Sequence, residues 1–398
     1  MADYTVIDDR TAFEHACETL AGAAGPVAVD VERASGFRYS QRAYLVQVFR
    51  KDAGVFLFDQ PALGDFAPLQ SAIGDEEWVF HAASQDLPSL HELDLHPAAL
   101  FDTELASRLL GHERFGLAAV VQEALGITLA KEHSAADWST RPLPPSWLEY
   151  AALDVLHLID VRDALMAELV EQDKTEIAAQ EFLSTLTKEP KPARAEPWRR
   201  LSGLHKVRGA RNLAVARALW QAREEYAQER DVAPGRLVPD RALLAAVLAG
   251  PQSKAALAGV KEFTGRASRS QLDRWWAAIE AGRSTEDLPR ERVPSDTLPP
   301  PRSWSDRNPE ADARLKAARP VVEAHAEELG MPTENLLTPE HLRRVAWHPP
   351  QPASVDAIGE ALQALGARPW QIAHTAQRIA VAFAEAAQAA ENLPEADS

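Results

Sequence analysis

Short strand-like segments are confined to the first part of this 398-residue chain. Five apolar runs there have the length and composition of strands: YTVID, VAVDVE, YLVQVF, GVFLFD and WVFHA. Helical patterns follow from about Asp86, and they end in one long predicted helix from about Ser146 to Gln172. The rest of the chain shows Ala, Leu, Glu and Arg at helical spacing. The sequence therefore predicts an α/β domain followed by all-α structure.

Two segments rich in proline and charge divide the chain: TKEPKPARAEPW near residues 187–198, and STEDLPRERVPSDTLPPPRSWSDRNP near residues 284–309. The helical parts beside the second segment resemble each other weakly, because LVPDRALLAAV and LLTPEHLRRVA share a Leu, a turn with Pro, an acid and a Leu. We therefore predict a duplicated helical domain. The predicted segments are an α/β domain at residues 1–186, a helical domain at 199–284, a linker at 285–309 and a second, divergent helical domain at 310–394.

The net charge of −17 is unevenly distributed along the chain. Residues 190–283 contain 18 Lys and Arg against 9 Asp and Glu, which makes this segment +9 and the remainder −26. Six basic residues cluster at its start: Arg199, Arg200, Lys206, Arg208, Arg211 and Arg217. They could form a solvated helix face, but a local excess of positive charge beside an acidic domain favours binding to a nucleic-acid backbone.

The composition bears on location. No apolar run approaches the roughly 20 residues of a membrane span. The N-terminus, MADYTVIDDR, lacks the basic and apolar regions of a signal peptide. Cys17 is the only cysteine, which excludes an internal disulfide and a cysteine-based zinc site. We expect a cytoplasmic protein without a membrane partner.

The predicted strand VAVDVE ends in two carboxylates, Asp30 and Glu32. Because side chains alternate along a strand, both point to the same face of the sheet. Two like charges this close repel each other. A fold tolerates them if a cation lies between them, or if they lie at a solvated strand end.

Three further residues extend this pattern. Asp86 follows a strand and begins a helix, where it could simply cap the helix N-terminus. Tyr150 and Asp154 are four residues apart on a predicted helix, where they could simply hydrogen-bond to each other. Taken together, the four carboxylates, one of them beside a phenol, suit two Mg²⁺ or Mn²⁺ ions that serve in-line attack on a phosphodiester.

Three longer segments contain these residues: DVERASGFRYSQRAYLVQV, FHAASQDLPSL and DWSTRPLPPSWLEYAALDVLHLIDV. They resemble the three motifs of the DEDD superfamily of 3′-to-5′ exonucleases, and specifically those of the ribonuclease D family. DTELASRLLG, from Asp102, resembles the segment that connects the motifs in this family. The basic helical segment resembles the HRDC domain that follows the nuclease domain in ribonuclease D, and the third part is similar to a second, divergent copy.

This resemblance implies a ribonuclease H-like mixed sheet flanked by helices, followed by two HRDC-like domains. It implies that Asp30, Glu32, Asp86 and Asp154 are ligands of two divalent ions, with Glu32 also near the 3′-terminal hydroxyl. Tyr150 would hydrogen-bond the attacking water, and the tyrosine marks the DEDDy subclass. All five residues would be catalytic.

The predicted function is a metal-dependent 3′-to-5′ exoribonuclease that trims RNA 3′ ends and releases nucleoside 5′-monophosphates. By family analogy, the partner is RNA with a free 3′ end, above all tRNA precursors or other structured RNA. We also expect a monomer. Two alternatives stay open from the sequence. One is a 3′-to-5′ DNA exonuclease with the same chemistry, and the other is a non-catalytic nucleic-acid-binding protein whose carboxylates serve only structure.

Overall fold

The computed structural model describes residues 2–129, 136–190, 192–293 and 297–391. The N-terminal part is a six-stranded mixed sheet flanked by helices. No described residue after Leu186 lies in a strand. The predicted fold class, an α/β domain followed by helical parts, is confirmed.

The sheet has the strand order β1-β4-β3-β2-β5-β6. Its strands are β1 (Thr5–Ile7), β2 (Val27–Arg33), β3 (Ala43–Arg50), β4 (Gly54–Phe58), β5 (Glu77–Phe80) and β6 (Ala99–Asp102). β3 runs antiparallel to both of its neighbours, and the other three pairs are parallel. The central strand β2 is buried except at Asp30 and Arg33, which explains its nearly continuous apolar sequence.

The first five strands match the five predicted runs, but β6 was not predicted. The sequence pattern indicated helices from Asp86 onward, whereas Ala99–Asp102 forms an edge strand parallel to β5. Its four residues are too few to show an alternating pattern. Only pairing with β5 and packing against the helices identify it as a strand.

The helices of this part are α1 (Arg10–Gly22), α2 (Gln60–Leu63), α3 (Ala67–Ile73), α4 (Leu87–His91), α5 (Thr103–Leu110), α6 (Leu117–Leu125), α7 (Pro145–Leu156), α8 (Leu158–Glu171) and α9 (Thr175–Leu186). The single helix predicted from Ser146 to Gln172 is wrong, because the chain breaks at His157 into α7 and α8. Neither Gly nor Pro stands at this break, so the sequence carries no signal for it.

The middle part contains α10 (Ala210–Arg230), α11 (Pro234–Leu237), α12 (Asp240–Ala249), α13 (Lys254–Ala258), α14 (Arg266–Ser270) and α15 (Leu272–Ser284). These helices enclose a hydrophobic core of their own, with Trp275 fully buried at its centre. The Trp275 indole donates a hydrogen bond to the Ala267 carbonyl at 3.0 Å. This tryptophan therefore stabilises the core of the middle part.

The third part contains α16 (Trp304–Arg307), α17 (Pro309–Glu328), α18 (Thr333–Leu336), α19 (Pro339–Trp347), α20 (Val355–Ala364) and α21 (Pro369–Glu391). Trp304 is fully buried, and its ring packs against that of Trp347 at 4.8 Å between centroids. The end of the predicted linker thus forms a helix that packs on the third part. Residues 294–296 of that linker, and the predicted domain end at residue 394, lie outside the described residues. The bounds of the four predicted segments stay a prediction.

The first and third parts share one hydrophobic core. At their contact, the buried carboxylate of Glu181 receives two hydrogen bonds from the Arg368 guanidinium, at 2.5 and 2.7 Å, and one from the Trp370 indole, at 2.7 Å. The third part is therefore joined to the α/β domain by both apolar and ionic contacts. Within the described chain, no helix combines the length and the apolar character needed to cross a membrane.

Candidate active site

The central strand β2 carries Asp30 and Glu32 at its carboxyl end. Asp30 lies opposite Gln47 in the antiparallel pairing with β3, and the Gln47 side chain donates a hydrogen bond to the Asp30 carboxylate at 3.3 Å. Glu32 is 8% exposed. The sheet thus fixes both carboxylates on one face, as the alternation predicted.

Asp86 stands at the corner between β5 and α4. Its side chain makes no capping hydrogen bond to that helix, so the ordinary role of a helix cap does not explain it. The corner is fixed instead by the buried Asp102, which accepts hydrogen bonds from the backbone N–H groups of Ala82, at 3.0 Å, and Ala83, at 2.9 Å. Ala82 has a positive φ of 66°, a conformation that needs such support. The hydrogen bonds of Asp102 to this corner therefore hold Asp86 in the cleft, where it is 5% exposed.

Tyr150 and Asp154 lie one turn apart on α7, which packs against β2, β3 and β4. Their side chains are hydrogen-bonded to each other. The packing of α7 on the sheet turns this pair toward the end of β2, rather than toward solvent.

These elements bring the predicted carboxylates together. Oxygen atoms of Asp30, Glu32 and Asp154 all lie within 4.8 Å of one another, a spacing that could hold a metal ion. Asp86 and Tyr150 line the same cleft, which has a volume of about 700 Å³. The donors are all hard carboxylate oxygens, the ligands that Mg²⁺ and Mn²⁺ prefer.

The carboxylates strongly perturb one another. Burial raises the pKa of Asp30 to about 6, while Arg33 acts in the opposite direction. Burial, together with the charges of Asp30, Asp154 and Asp86, raises the pKa of Glu32 to about 10. Burial and Asp30 raise the pKa of Asp154 to about 8 and that of Asp86 well above its usual range. Four acids that resist ionisation at one place form a site suited to bound cations.

The phenol of Tyr150 stays protonated. Burial and the neighbouring carboxylates of Asp154 and Glu32 raise its pKa above the ordinary value of 10. Tyr150 can therefore act as a hydrogen-bond donor or acceptor in the cleft, but not as a base at neutral pH.

Two residues beside the site had no predicted role. Gln47 contacts Asp30, as described above, and only the strand register, which the sequence does not show, places it opposite Asp30. His81 lines the cleft, and its Nδ1 lies 2.9 Å from the Thr103 hydroxyl. Burial lowers the pKa of His81 to about 4, so the ring is neutral at physiological pH.

The structure places the six predicted nucleic-acid-binding residues in two groups. The first group, Arg200, Lys206 and Arg208, is exposed, and so is Arg211 of the second group. Arg199, Arg211 and Arg217 hydrogen-bond to the segment after α15, at Arg290, Thr285 and Asp287 respectively. The second group thus fastens this segment to the middle part. A contact of either group with nucleic acid stays a prediction.

Comparison with known protein families assigns most of the chain. Residues 4–170 match a 3′-5′ exonuclease family, residues 212–279 match the HRDC domain, and residues 297–383 match a 3′ to 5′ exonuclease C-terminal domain. The fold and the cleft therefore define a 3′-5′ exonuclease. Such exonucleases are metal-dependent, in agreement with the acidic cluster.

Relatives identify the family more narrowly. Ribonuclease D of Gluconacetobacter diazotrophicus is 33% identical over 281 residues, which cover 67% of this chain and 69% of the relative. Ribonuclease D of Escherichia coli K12 is 30% identical over 246 residues, which cover 61% and 65%. The chain belongs to the ribonuclease D family. The family and the enzyme class predicted from the sequence, a 3′-5′ exoribonuclease, are confirmed.

Solved structures extend the likeness to nearly the whole chain. A crystal structure of a protein from Bifidobacterium adolescentis superimposes with a TM-score of 0.88 at 36% identity, covering 96% of this chain and all of that one. Escherichia coli RNase D gives a TM-score of 0.69 at 24% identity, covering 91% and 99%. At 24% identity, the likeness to Escherichia coli RNase D shows that the two chains have the same fold.

Proposed function

We propose that this protein removes nucleotides one at a time from the 3′ end of structured RNA, above all tRNA precursors, and releases nucleoside 5′-monophosphates. The observation that carries this proposal is that carboxylate oxygens of Asp30, Glu32 and Asp154 all lie within 4.8 Å of one another. Asp86 and Tyr150 line the same cleft. The substrate class is supported by the relatives, which are named ribonuclease D, and by E. coli RNase D, which is described as an exoribonuclease involved in structured RNA processing.

Asp30, Glu32, Asp86 and Asp154 would hold two divalent ions, Mg²⁺ or Mn²⁺. When bound, such ions make a coordinated water more acidic and offset the charge that develops on the phosphodiester. Among the described residues, these four carboxylates are hard oxygen donors placed where a cation would relieve their mutual repulsion.

The remaining roles follow from this chain's own geometry. Tyr150, held by its hydrogen bond to Asp154, would orient the attacking water toward the last phosphodiester. Glu32, at the end of β2, would also lie near the 3′-terminal hydroxyl. Both roles require fixed side chains, which α7 and the sheet provide.

Arg200, Lys206 and Arg208 would hold the RNA backbone outside the cleft, because they are exposed and positively charged. Arg199, Arg211 and Arg217 would contribute charge to the same surface while they hold the segment after α15. The HRDC-like character of the third part, the monomeric state and the cytoplasmic location stay predictions.

Single-turnover digestion of a 3′-extended tRNA tests the proposal, with Mg²⁺ or Mn²⁺, a DNA of the same sequence, and Asp154→Asn as the control variant. We expect stepwise release of 5′-nucleotides from the RNA, and none with the variant. Faster degradation of the DNA would identify a DNA exonuclease instead. No release from either strand with either metal would favour a non-catalytic nucleic-acid-binding protein.

A further inference from the structure

Arg33 is the cation of the catalytic cleft. Among the described residues that line it, Arg33 is the only Lys or Arg. The acids that line the same cleft are Asp30, Glu32, Asp86, Glu104 and Asp154. Because the His81 ring is neutral, a negatively charged RNA strand entering the described part of the cleft meets one fixed positive charge of the protein.

Arg33 is the last residue of β2. Strict alternation would point its side chain to the face opposite Glu32. The pairing register shifts at this end of the strand because β3 has one extra residue, Tyr44, so that Glu32 lies opposite Leu45 and Arg33 lies opposite Ala43. The Arg33 side chain contacts Gln85 and Asp86, and with them and Glu32 it lines the same cleft.

The contacts of Arg33 leave donors free for a ligand. One Nη donates a hydrogen bond to the Gln85 carbonyl, and the other lies 3.7 Å from the Asp86 carboxylate, too far for a hydrogen bond. A guanidinium has five N–H donors, and within the described chain Arg33 uses one of them in a hydrogen bond. Its side chain is 24% exposed, so it is held in place but open to the cleft.

We propose that Arg33 binds the terminal phosphate of the RNA strand, the group that becomes the 5′-phosphate of the released nucleotide. This proposal rests on the proposed exonuclease function. A guanidinium matches phosphate geometry and can donate two parallel hydrogen bonds. Asp86 and Gln85 hold Arg33 beside the carboxylates, so it contacts the phosphate at the reacting end of the strand.

Nucleotide binding tests this role without hydrolysis. Isothermal titration calorimetry with saturating Mn²⁺ measures the Kd of AMP, a nucleoside 5′-monophosphate, and that of adenosine, which lacks the phosphate. For Arg33→Gln we expect the Kd of AMP to rise about 10- to 100-fold, the effect of losing a charge-assisted hydrogen bond, while the Kd of adenosine stays unchanged. Arg33→Lys keeps the charge without the planar fork, so we expect an intermediate rise.

Two controls separate a phosphate contact from other effects. Arg114→Gln removes an exposed charge beside the cleft residue Phe115, and we expect it to leave the Kd of AMP unchanged. Circular dichroism melting shows whether each variant is folded. Titration of Mn²⁺ without nucleotide should show equal or tighter binding to Arg33→Gln, because a positive charge near the ligands is lost.

The outcomes distinguish the two proposals. If wild-type protein digests RNA and Arg33→Gln binds AMP as tightly as wild type, Arg33 only neutralises Asp86 and the exonuclease function stands. If the Kd values of AMP and adenosine rise equally, Arg33 shapes the cleft and does not bind phosphate. If wild-type protein binds neither Mn²⁺ nor AMP, both proposals fail.

Discussion

The carboxylate of Asp231, in the middle part, accepts a hydrogen bond from the backbone N–H of Ser40 at 3.1 Å. Ser40 lies in the loop between β2 and β3, which begins directly after Arg33. The same oxygen of Asp231 accepts a hydrogen bond from the Tyr39 N–H at 3.2 Å. The helical middle part is thus attached to the loop that follows the strand of the carboxylates.

Other contacts reinforce this attachment. The Arg236 side chain donates a hydrogen bond to the Gly36 carbonyl at 2.6 Å and lies over the Phe37 ring at 3.9 Å. The backbone N–H of Ala233 donates to the Phe37 carbonyl at 2.9 Å. We therefore expect the middle part to position this loop, in addition to any role in RNA binding.

Asp231→Ala tests this coupling. Asp231 ends α10 with a positive φ of 45°, and alanine loses both the backbone hydrogen bonds and part of the preference for that conformation. We expect a loss of about 2 kcal/mol in the free energy of unfolding, together with slower digestion of short RNA. Asp231→Asn is the matched control, because asparagine tolerates this φ and keeps one acceptor oxygen. Wild-type digestion by Asp231→Ala would show that the loop needs no support from the middle part.

Tyr150→Phe separates the phenol from metal binding. Phenylalanine keeps the ring and removes the hydroxyl that hydrogen-bonds to Asp154. We expect kcat to fall about 100-fold, the usual contribution of a group that positions a proton transfer, with Mn²⁺ affinity within about threefold of wild type. Single-turnover digestion and calorimetric Mn²⁺ titration measure the two quantities. Equal losses in both would indicate that Tyr150 mainly supports the metal ligands.

Asp154→Asn should stabilise the metal-free protein while it abolishes activity. Burial and Asp30 raise the pKa of Asp154 to about 8, so its ionised form destabilises the fold above the unfolded value near 4. This penalty grows as the pH rises from about 4 to about 8. In EDTA we expect the variant to melt roughly 3 to 6 °C above wild type at pH 8.5, with the difference vanishing near pH 4. A variant less stable than wild type at pH 8.5 would contradict the repulsion described here.

Metal binding should strengthen as the pH rises. Ligands must lose their protons to bind a cation, and burial raises the pKa of Asp30 to about 6 and that of Asp154 to about 8. Between pH 6 and pH 8 we expect the Mn²⁺ affinity to increase about tenfold or more, with release of protons. Calorimetry in buffers of different ionisation enthalpy measures both effects. A pH-independent affinity would mean that these carboxylates are already ionised without metal.

A double-mutant cycle tests the contact between the first and third parts. The buried Glu181 binds the Arg368 guanidinium through two hydrogen bonds. Glu181→Gln leaves the partly buried Arg368 guanidinium without its counter-charge, and we expect a loss of about 3 kcal/mol in the free energy of unfolding. Glu181→Gln combined with Arg368→Met should cost less than the sum of the single changes. Additive losses in urea denaturation would show that the two side chains are not coupled.

The sequence by itself determined the class of fold and the residues of the candidate site. Five strands could be predicted because runs such as VAVDVE have the length and composition of strands. In the structure this run lies within the largely buried strand β2, Val27–Arg33. Asp30, Glu32, Asp86, Tyr150 and Asp154 could be selected because their residue types and their positions at strand and helix ends indicate one chemistry. Residue types and positions of this kind can be recognised in the sequence, and the structure brings these five side chains into one cleft.

Tertiary structure decided the rest. The edge strand β6 forms because it pairs with β5. The break between α7 and α8 at His157 contains no Gly or Pro from which it could be predicted. The position of Arg33 in the cleft depends on its contacts with Gln85 and Asp86, and the role of Asp231 depends on a loop almost 200 positions away in the chain. These features arise from pairing and packing between distant segments, for which neither local propensity nor periodicity carries a signal.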